Sequence, residues 1–156
     1  MRDSFLTYLF GEYSQKDAVL SSQVLKRINE WVKAGDIDGF IGEIKSLFAS
    51  IPSHIFIGDR EAYYHSIIYL ILKLAGADVR SEEPTNRGRI DAVLETGNKI
   101  YIMEFKIGSE QEAIEQIKRM KYYEKYLGSG KEIILLGAGF DPEQRNIGNY
   151  LLEYLP

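Results

Sequence analysis

The chain has 156 residues and a hydrophobic content of 45%, enough for one domain with a hydrophobic core. It contains no cysteine, which excludes disulfides, thiolate zinc sites and a cysteine nucleophile. The formal net charge of −4 gives no general attraction to a phosphate backbone, although acidic and basic residues nearly balance over residues 60–131.

The N-terminal third of the sequence is predicted to be helical, and the protein is expected to be cytoplasmic. It lacks the basic start and the long apolar run of a signal peptide. Apolar residues at helical spacing predict two helices, separated by Gly35-Asp36. Ile51 precedes Pro52, and a residue before proline is biased away from helix. We therefore expect a helical extension over residues 1–52 and a second unit over residues 53–156, packed as one protein.

The second unit alternates between helical and strand periodicity, which is typical of a mixed α/β domain. Its predicted helices start at Asp59 as N-cap, at the capping box of Ser109 and at Pro142. The first is expected to end at Ala75 and the second near Leu127. Strands are predicted over residues 78–83, 88–95, 99–107 and 132–139. The order is α-β-β-β-α-β, followed by a last helix, with a mixed sheet flanked by helices.

Thr96-Gly97-Asn98-Lys99 has the pattern of a two-residue hairpin turn, which fixes how the second and third strands pair. One face of this hairpin is then wholly apolar, with Ile90 facing Phe105, Ala92 facing Met103 and Leu94 facing Tyr101. The other face places Asp91 opposite Glu104 and Arg89 opposite Lys106, at the end away from the turn.

Two directly opposed carboxylates, with Cβ atoms roughly 5 Å apart, repel each other. A hard divalent cation such as Mg²⁺ between Asp91 and Glu104 would compensate, because it prefers oxygen ligands. Lys106 on the same face would orient or help deprotonate an attacking water, or stabilise charge on an attacked phosphate. The alternative is a lattice of surface ion pairs. Val93, Ile100 and Ile102 on the same face argue against a solvated surface.

Three segments carry a resemblance to a known family: Glu61-x-x-Tyr64-His65, Thr85-Asn86-Arg87-Gly88-Arg89-Ile90-Asp91 and Tyr101-Ile102-Met103-Glu104-Phe105-Lys106. With the element order, they resemble the PD-(D/E)XK nuclease superfamily. More narrowly, they resemble its bacterial branch, in which the nuclease domain commonly follows an AAA-type ATPase-like domain.

That resemblance implies a restriction-endonuclease-like α/β fold. It also implies Mg²⁺, or Mn²⁺ in its place, bound by Asp91 and Glu104, with Lys106 assisting catalysis. Many relatives carry Gln-x-x-x-Tyr on the helix that follows. Here Met120 occupies the tyrosine position after Gln116, and helical geometry predicts Tyr123 as the partner of Gln116 instead. The chain contains no G-x-x-x-x-G-K-[ST] segment, so an ATPase-like partner would lie outside it.

Four further side chains are candidates for the same site. Glu61 is either a third metal ligand or a carboxylate that complements a helix N-terminus. His65 either contacts a ligand or scissile phosphate, or is a satisfied structural residue. Arg87 and Arg89 are candidate phosphate contacts, of which Arg89 has the stronger claim because it shares the face of Asp91.

Other charged and aromatic residues have simpler interpretations. Glu82 and Glu83 end the first strand, and solvation is expected for both. Several tyrosines in the last 35 residues either stack on bases or belong to the core or an interface. They are Tyr122, Tyr123, Tyr126, Tyr150 and Tyr154.

The sequence therefore predicts Mg²⁺-dependent hydrolysis of nucleic acid, DNA in preference to RNA. Two alternatives keep the same fold without catalysis. One is a module that binds nucleic acid or protein, and the other is a regulatory partner of an ATPase. Metal-dependent cleavage separates the nuclease from both.

Overall fold

Five strands form one mixed sheet in the order β1-β2-β3-β4-β5, with helices on both faces. This computed structural model describes residues 18–51 and 60–156. In that part of the chain the helices are α1 (Ala18–Ala34), α2 (Ile37–Ala49), α3 (Glu61–Leu74) and α4 (Glu110–Met120). The strands are β1 (Asp78–Thr85), β2 (Gly88–Thr96), β3 (Lys99–Ile107), β4 (Glu132–Asp141) and β5 (Asn146–Tyr154). Of these described helices, none is both long and apolar enough to cross a membrane.

Helices α1 and α2 follow the predicted break at Gly35-Asp36. Gly35 has a φ of +75°, which favours glycine, and it ends α1. The Asp36 side chain caps α2 by accepting a hydrogen bond from the Gly39 amide at 2.9 Å. Their buried apolar residues, such as Ile28 and Phe40, share one hydrophobic cluster with α3 and the sheet. Pro52 and Asp59, where we predicted the break and the next helix cap, lie outside the described residues.

The β2–β3 hairpin has the predicted register. Thr96 pairs with Lys99, and the pairing continues as far as Ala92 with Met103. β1 and β2 are antiparallel, as are β4 and β5, whereas β3 and β4 are parallel and are joined through α4. The predicted α-β-β-β-α-β order is confirmed over α3 to β4.

Ile90 does not lie where strand alternation predicts. It was expected beside Phe105, on the face that packs against α1, α2 and α3, but it is buried with Val93 on the α4 face. The regular pairing of β1 with β2 is interrupted at the same place, where Glu82, with a φ of +54°, lies opposite Asp91. Ile90, just beyond this irregularity, is thus found on the opposite face from the one predicted.

The chain after β4 was predicted to be a helix starting at Pro142, and this prediction is wrong. The Asp141 carboxylate accepts hydrogen bonds from the amides of Glu143 and Gln144, which forms a turn. Arg145, with a φ of +55°, then reverses the chain. Strand β5 follows and pairs with β4, so Tyr150 and Tyr154 lie on a strand.

The helix after β3 begins as predicted but ends earlier. The Ser109 hydroxyl caps α4 by accepting a hydrogen bond from the Glu112 amide at 3.1 Å. The helix stops at Met120 instead of near Leu127, because Lys121 adopts the left-handed conformation with a φ of +49°. A short 3₁₀ helix, Tyr122–Tyr126, follows.

Gly137 on β4 has no room for a side chain beneath α4. A Cβ there would lie 2.7 Å from the Glu110 carbonyl oxygen and 2.9 Å from the Ile114 nitrogen. We expect Gly137→Ala to lower the free energy of unfolding by about 2 kcal/mol, because backbone atoms must move. Urea denaturation measures this, and an unchanged midpoint would contradict the close packing.

Gly42→Ala is the matched control for that variant. A Cβ at Gly42 meets nothing within 4 Å, and this glycine lies exposed inside α2. Alanine favours helix over glycine, so we expect the control to raise the free energy of unfolding by about 0.5–1 kcal/mol.

Candidate functional site

The two predicted carboxylates lie together where β2 and β3 separate. Beyond Ala92 with Met103 the regular backbone pairing stops, so it does not extend to Arg89 and Lys106. Side chains take its place at this end. The Asp91 amide donates to Glu104 Oε1 at 3.1 Å, and the Phe105 amide donates to Asp91 Oδ2 at 2.9 Å. Each carboxylate is therefore fixed by the backbone of the opposite strand.

Glu104 is a buried acid in an environment that disfavours its negative charge. It is 1% exposed, and Gln116 Nε2 donates to its Oε2 at 3.2 Å. Burial, followed by the charge of Asp91, raises the pKa of Glu104 to about 9. A proton or a cation is needed to stabilise this pair of carboxyl groups. The donor set thus fits a divalent cation bound by oxygen ligands.

Lys106 and Glu61 lie at the end of β3 beside this pair. Lys106 Nζ is 4.0 Å from Glu61 Oε2, and the Ile107 amide donates to Glu61 Oε1 at 3.2 Å. Glu61 is in the first turn of α3, so the start of that helix is attached to β3. Glu61 thus lies beside the site, where it contacts Lys106. The role of Glu61 as a third metal ligand stays a prediction.

A second set of polar side chains approaches Asp91 from the α3 side. His65 Nε2 lies 3.2 Å from Ser81 Oγ, and His65 Nδ1 lies 3.9 Å from Glu82 Oε1. Within the described residues, His65, Glu82 and Asp91 form the group whose ligand atoms all lie within 4.8 Å of one another. Glu104 and Glu61 are not in that group.

Sequence reasoning missed Glu82 and Ser81. Solvation was expected for Glu82, and its side chain is indeed half-exposed. Its positive φ, however, turns it toward His65 and Arg89, whose Nη1 lies 3.5 Å from Glu82 Oε2. No sequence signal marks a glutamate that adopts this conformation, because glycine and asparagine are the usual residues there.

Tyr122, and not the predicted Tyr123, is the tyrosine beside Gln116. Burial raises the pKa of Tyr122, and a hydrogen bond with the Gln116 side chain opposes that rise. The left-handed Lys121 ends the helix before either tyrosine, so helical spacing no longer applies. Tyr123 is half-buried and packs against the hydrophobic cluster under α4.

The turn between β1 and β2 places two arginines near the site. Arg87 and Arg89 are both exposed and flank Gly88. A Cβ at Gly88 would lie 3.1 Å from the Tyr122 hydroxyl, so glycine allows this turn to approach the aromatic ring closely. Arg89 contacts Glu82, whereas the Arg87 amide donates to Thr85 Oγ1 at 3.1 Å.

Comparison with known proteins agrees with this geometry. The chain is 33% identical over 129 residues to a protein of Azotobacter chroococcum mcd 1 named "Uncharacterized protein in vnfD 5'region", and the alignment covers 78% of this chain. The chain spans only about a quarter of that relative's length, since the covered share is 25%. The family model described as PD-(D/E)XK nuclease superfamily matches residues 59–150, which include Asp91, Glu104 and Lys106. The chain therefore belongs to the PD-(D/E)XK nuclease superfamily.

Proposed function

We propose that this protein hydrolyses phosphodiester bonds of nucleic acid in a metal-dependent reaction, acting on DNA in preference to RNA. One observation carries the proposal. In a chain of this superfamily, the buried Glu104 and the half-buried Asp91 are fixed side by side at the opened end of a hairpin, next to Lys106. Carboxylates so arranged suit Mg²⁺, with Mn²⁺ able to replace it.

Asp91 and Glu104 would hold the cation, with Glu61 as the third carboxylate. When bound, the cation activates the attacking water and neutralises charge on the phosphate. Gln116 positions Glu104 through the hydrogen bond to Oε2. This contact supports an orienting role for Gln116. Tyr122 in turn forms a hydrogen bond with the Gln116 side chain.

Lys106 is the proposed catalytic residue that does not bind the metal. Its side-chain nitrogen lies 4.0 Å from Glu61, where the ammonium form can orient the water or stabilise charge on the attacked phosphate. The neutral amine form could instead accept the proton of the water. Arg87 and Arg89 supply exposed positive charge for the phosphates on either side of the scissile bond. His65 was a candidate for the same task, but its ring nitrogens face Ser81 and Glu82.

An ATPase-like domain outside this chain is the proposed protein partner, as the sequence resemblance implies. The chain spans about a quarter of the relative from Azotobacter chroococcum mcd 1, which leaves room for other domains in that protein. A net charge of −4 also makes strong nonspecific binding to DNA by this chain alone unexpected.

Cleavage of linear, circular and single-stranded DNA, and of RNA, tests the proposal. We expect cutting with Mg²⁺ or Mn²⁺ at low salt, none with EDTA, and none by Asp91→Ala. Asp38→Ala, an exposed aspartate on α2, is the control and keeps full activity. If wild-type protein binds DNA without cutting any of these substrates, the noncatalytic binding module replaces the nuclease as the proposed function.

A further inference from the structure

His65, Glu82 and Asp91 come from three different elements and converge on one point. The ligand atoms that they offer all lie within 4.8 Å of one another. Metal bonds of about 2.1 Å place two ligands of one ion as far as ~4.2 Å apart. The observed separations of at most 4.8 Å are close to this span, so small adjustments of the side chains are enough to bring all three atoms around a single cation.

The orientation of His65 is independent support for such a site. His65 is 8% exposed, and its ring is held between Phe105, with ring centroids 5.5 Å apart, and Ser81. Ser81 Oγ is 3.2 Å from Nε2. When Nε2–H donates to this hydroxyl, the lone pair of Nδ1 points to the Glu82 carboxylate. Metal-binding histidines are generally oriented in this way, with the second ring nitrogen fixed by a polar neighbour.

The contacts of Glu82 leave one of its oxygens for a cation. Arg89 Nη1 lies 3.5 Å from Oε2, whereas Oε1 is the atom that faces His65 Nδ1 at 3.9 Å. That separation exceeds a hydrogen bond, and it fits two ligands on opposite sides of one ion.

We propose that His65, Glu82 and Asp91 form a second divalent-metal position. It shares Asp91 with the metal position of the proposed nuclease, and this shared residue is its only link to the proposed function. An imidazole nitrogen beside two carboxylates suits Mn²⁺ or Fe²⁺ better than Mg²⁺, which prefers oxygen ligands and water. The site is therefore selective for Mn²⁺ or Fe²⁺, and His65 is its selective ligand.

Pulsed electron paramagnetic resonance of bound Mn²⁺ tests the proposal, because it detects a directly coordinated imidazole nitrogen. The chain has two histidines, so a nitrogen signal can be assigned with two variants. We expect the signal in wild-type protein and in His54→Asn, and its loss in His65→Asn. Wild-type protein that binds Mn²⁺ without a nitrogen signal, or that binds none, would overturn the proposal, as would a signal retained by His65→Asn.

The carboxylate ligand has its own matched pair of variants. Glu82→Gln replaces the charged carboxylate with a neutral amide, a weaker ligand, at an exposed position and is expected to weaken Mn²⁺ binding by about 10-fold or more. Glu83→Gln is the control, because Glu83 instead pairs with Lys125 at 2.8 Å. Equal Mn²⁺ affinities of the two variants would exclude Glu82 as a ligand.

Neither measurement depends on cleavage. Mg²⁺-dependent cutting without a nitrogen signal removes this second position and leaves the proposed nuclease intact. A nitrogen signal in a protein that does not cut leaves the metal position in place and removes the nuclease function.

Discussion

Replacing Lys106 with methionine is expected to lower the rate of cleavage by about 100-fold or more while Mn²⁺ still binds. The side chain is 26% exposed and lies beside the carboxylates without being able to act as a metal ligand in its charged form. Loss of one group that stabilises charge in the transition state typically costs about 10²–10³ in rate. Methionine keeps the length of the side chain, so packing at the end of β3 is preserved.

Single-turnover cleavage and Mn²⁺ titration separate the possible roles of Lys106. Lys45→Met, at an exposed position on α2, controls for the loss of a positive charge and should cut at the wild-type rate. A Lys106→Met variant that cuts normally would remove Lys106 from the mechanism. One that loses Mn²⁺ binding together with activity would show that Lys106 supports the fold of the site and not the chemistry.

The carboxylate pair was predictable because local turn chemistry determines it. Gly97, with a φ of +55°, allows a two-residue turn, and that turn fixes the register of β2 against β3. Once the register is known, Asp91 and Glu104 must meet at the far end of the hairpin. Burial of the apolar residues between them prevents a shift of the register by one residue.

Three features that could not be predicted from the sequence depend on backbone conformations that are unusual for the residues concerned. Glu82, Lys121 and Arg145 have positive φ values although none is glycine or asparagine. Glu82 brings its carboxylate to His65, Lys121 ends α4 before Tyr122, and Arg145 turns the chain into β5. Such conformations persist because tertiary packing compensates for their cost, and a single sequence does not reveal that compensation.

The raised pKa of Glu104 links protons to both stability and metal binding. In metal-free protein the folded state keeps its proton up to about pH 9, whereas the ordinary pKa of the group is 4.5. The folded state therefore holds an extra proton between these limits, and stability falls as the pH rises through this range. The slope is at most about 1.4 kcal/mol per pH unit. Glu104→Gln, which has no proton to lose, should lack this contribution in EDTA.

Metal binding should depend on pH in the opposite direction. A carboxyl group must lose its proton before it binds a cation, so Mg²⁺ affinity should rise by up to about 10-fold per pH unit from pH 7 toward pH 9. That window lies above the range in which histidines ordinarily titrate, so the change reports on the carboxyl group.

Titration calorimetry in buffers with different ionisation enthalpies measures the proton released with each Mg²⁺. We expect about one proton per ion near pH 7.5, since the carboxyl group is still protonated there. Thermal unfolding in EDTA at pH 6 and pH 8.5 provides the matching measurement of stability for wild type and Glu104→Gln. Proton-free Mg²⁺ binding, or parallel stability profiles for the two proteins, would mean that Glu104 does not hold a buried proton. The hydrogen bonds that hold Asp91 beside Glu104 would then be the remaining support for a cation between them.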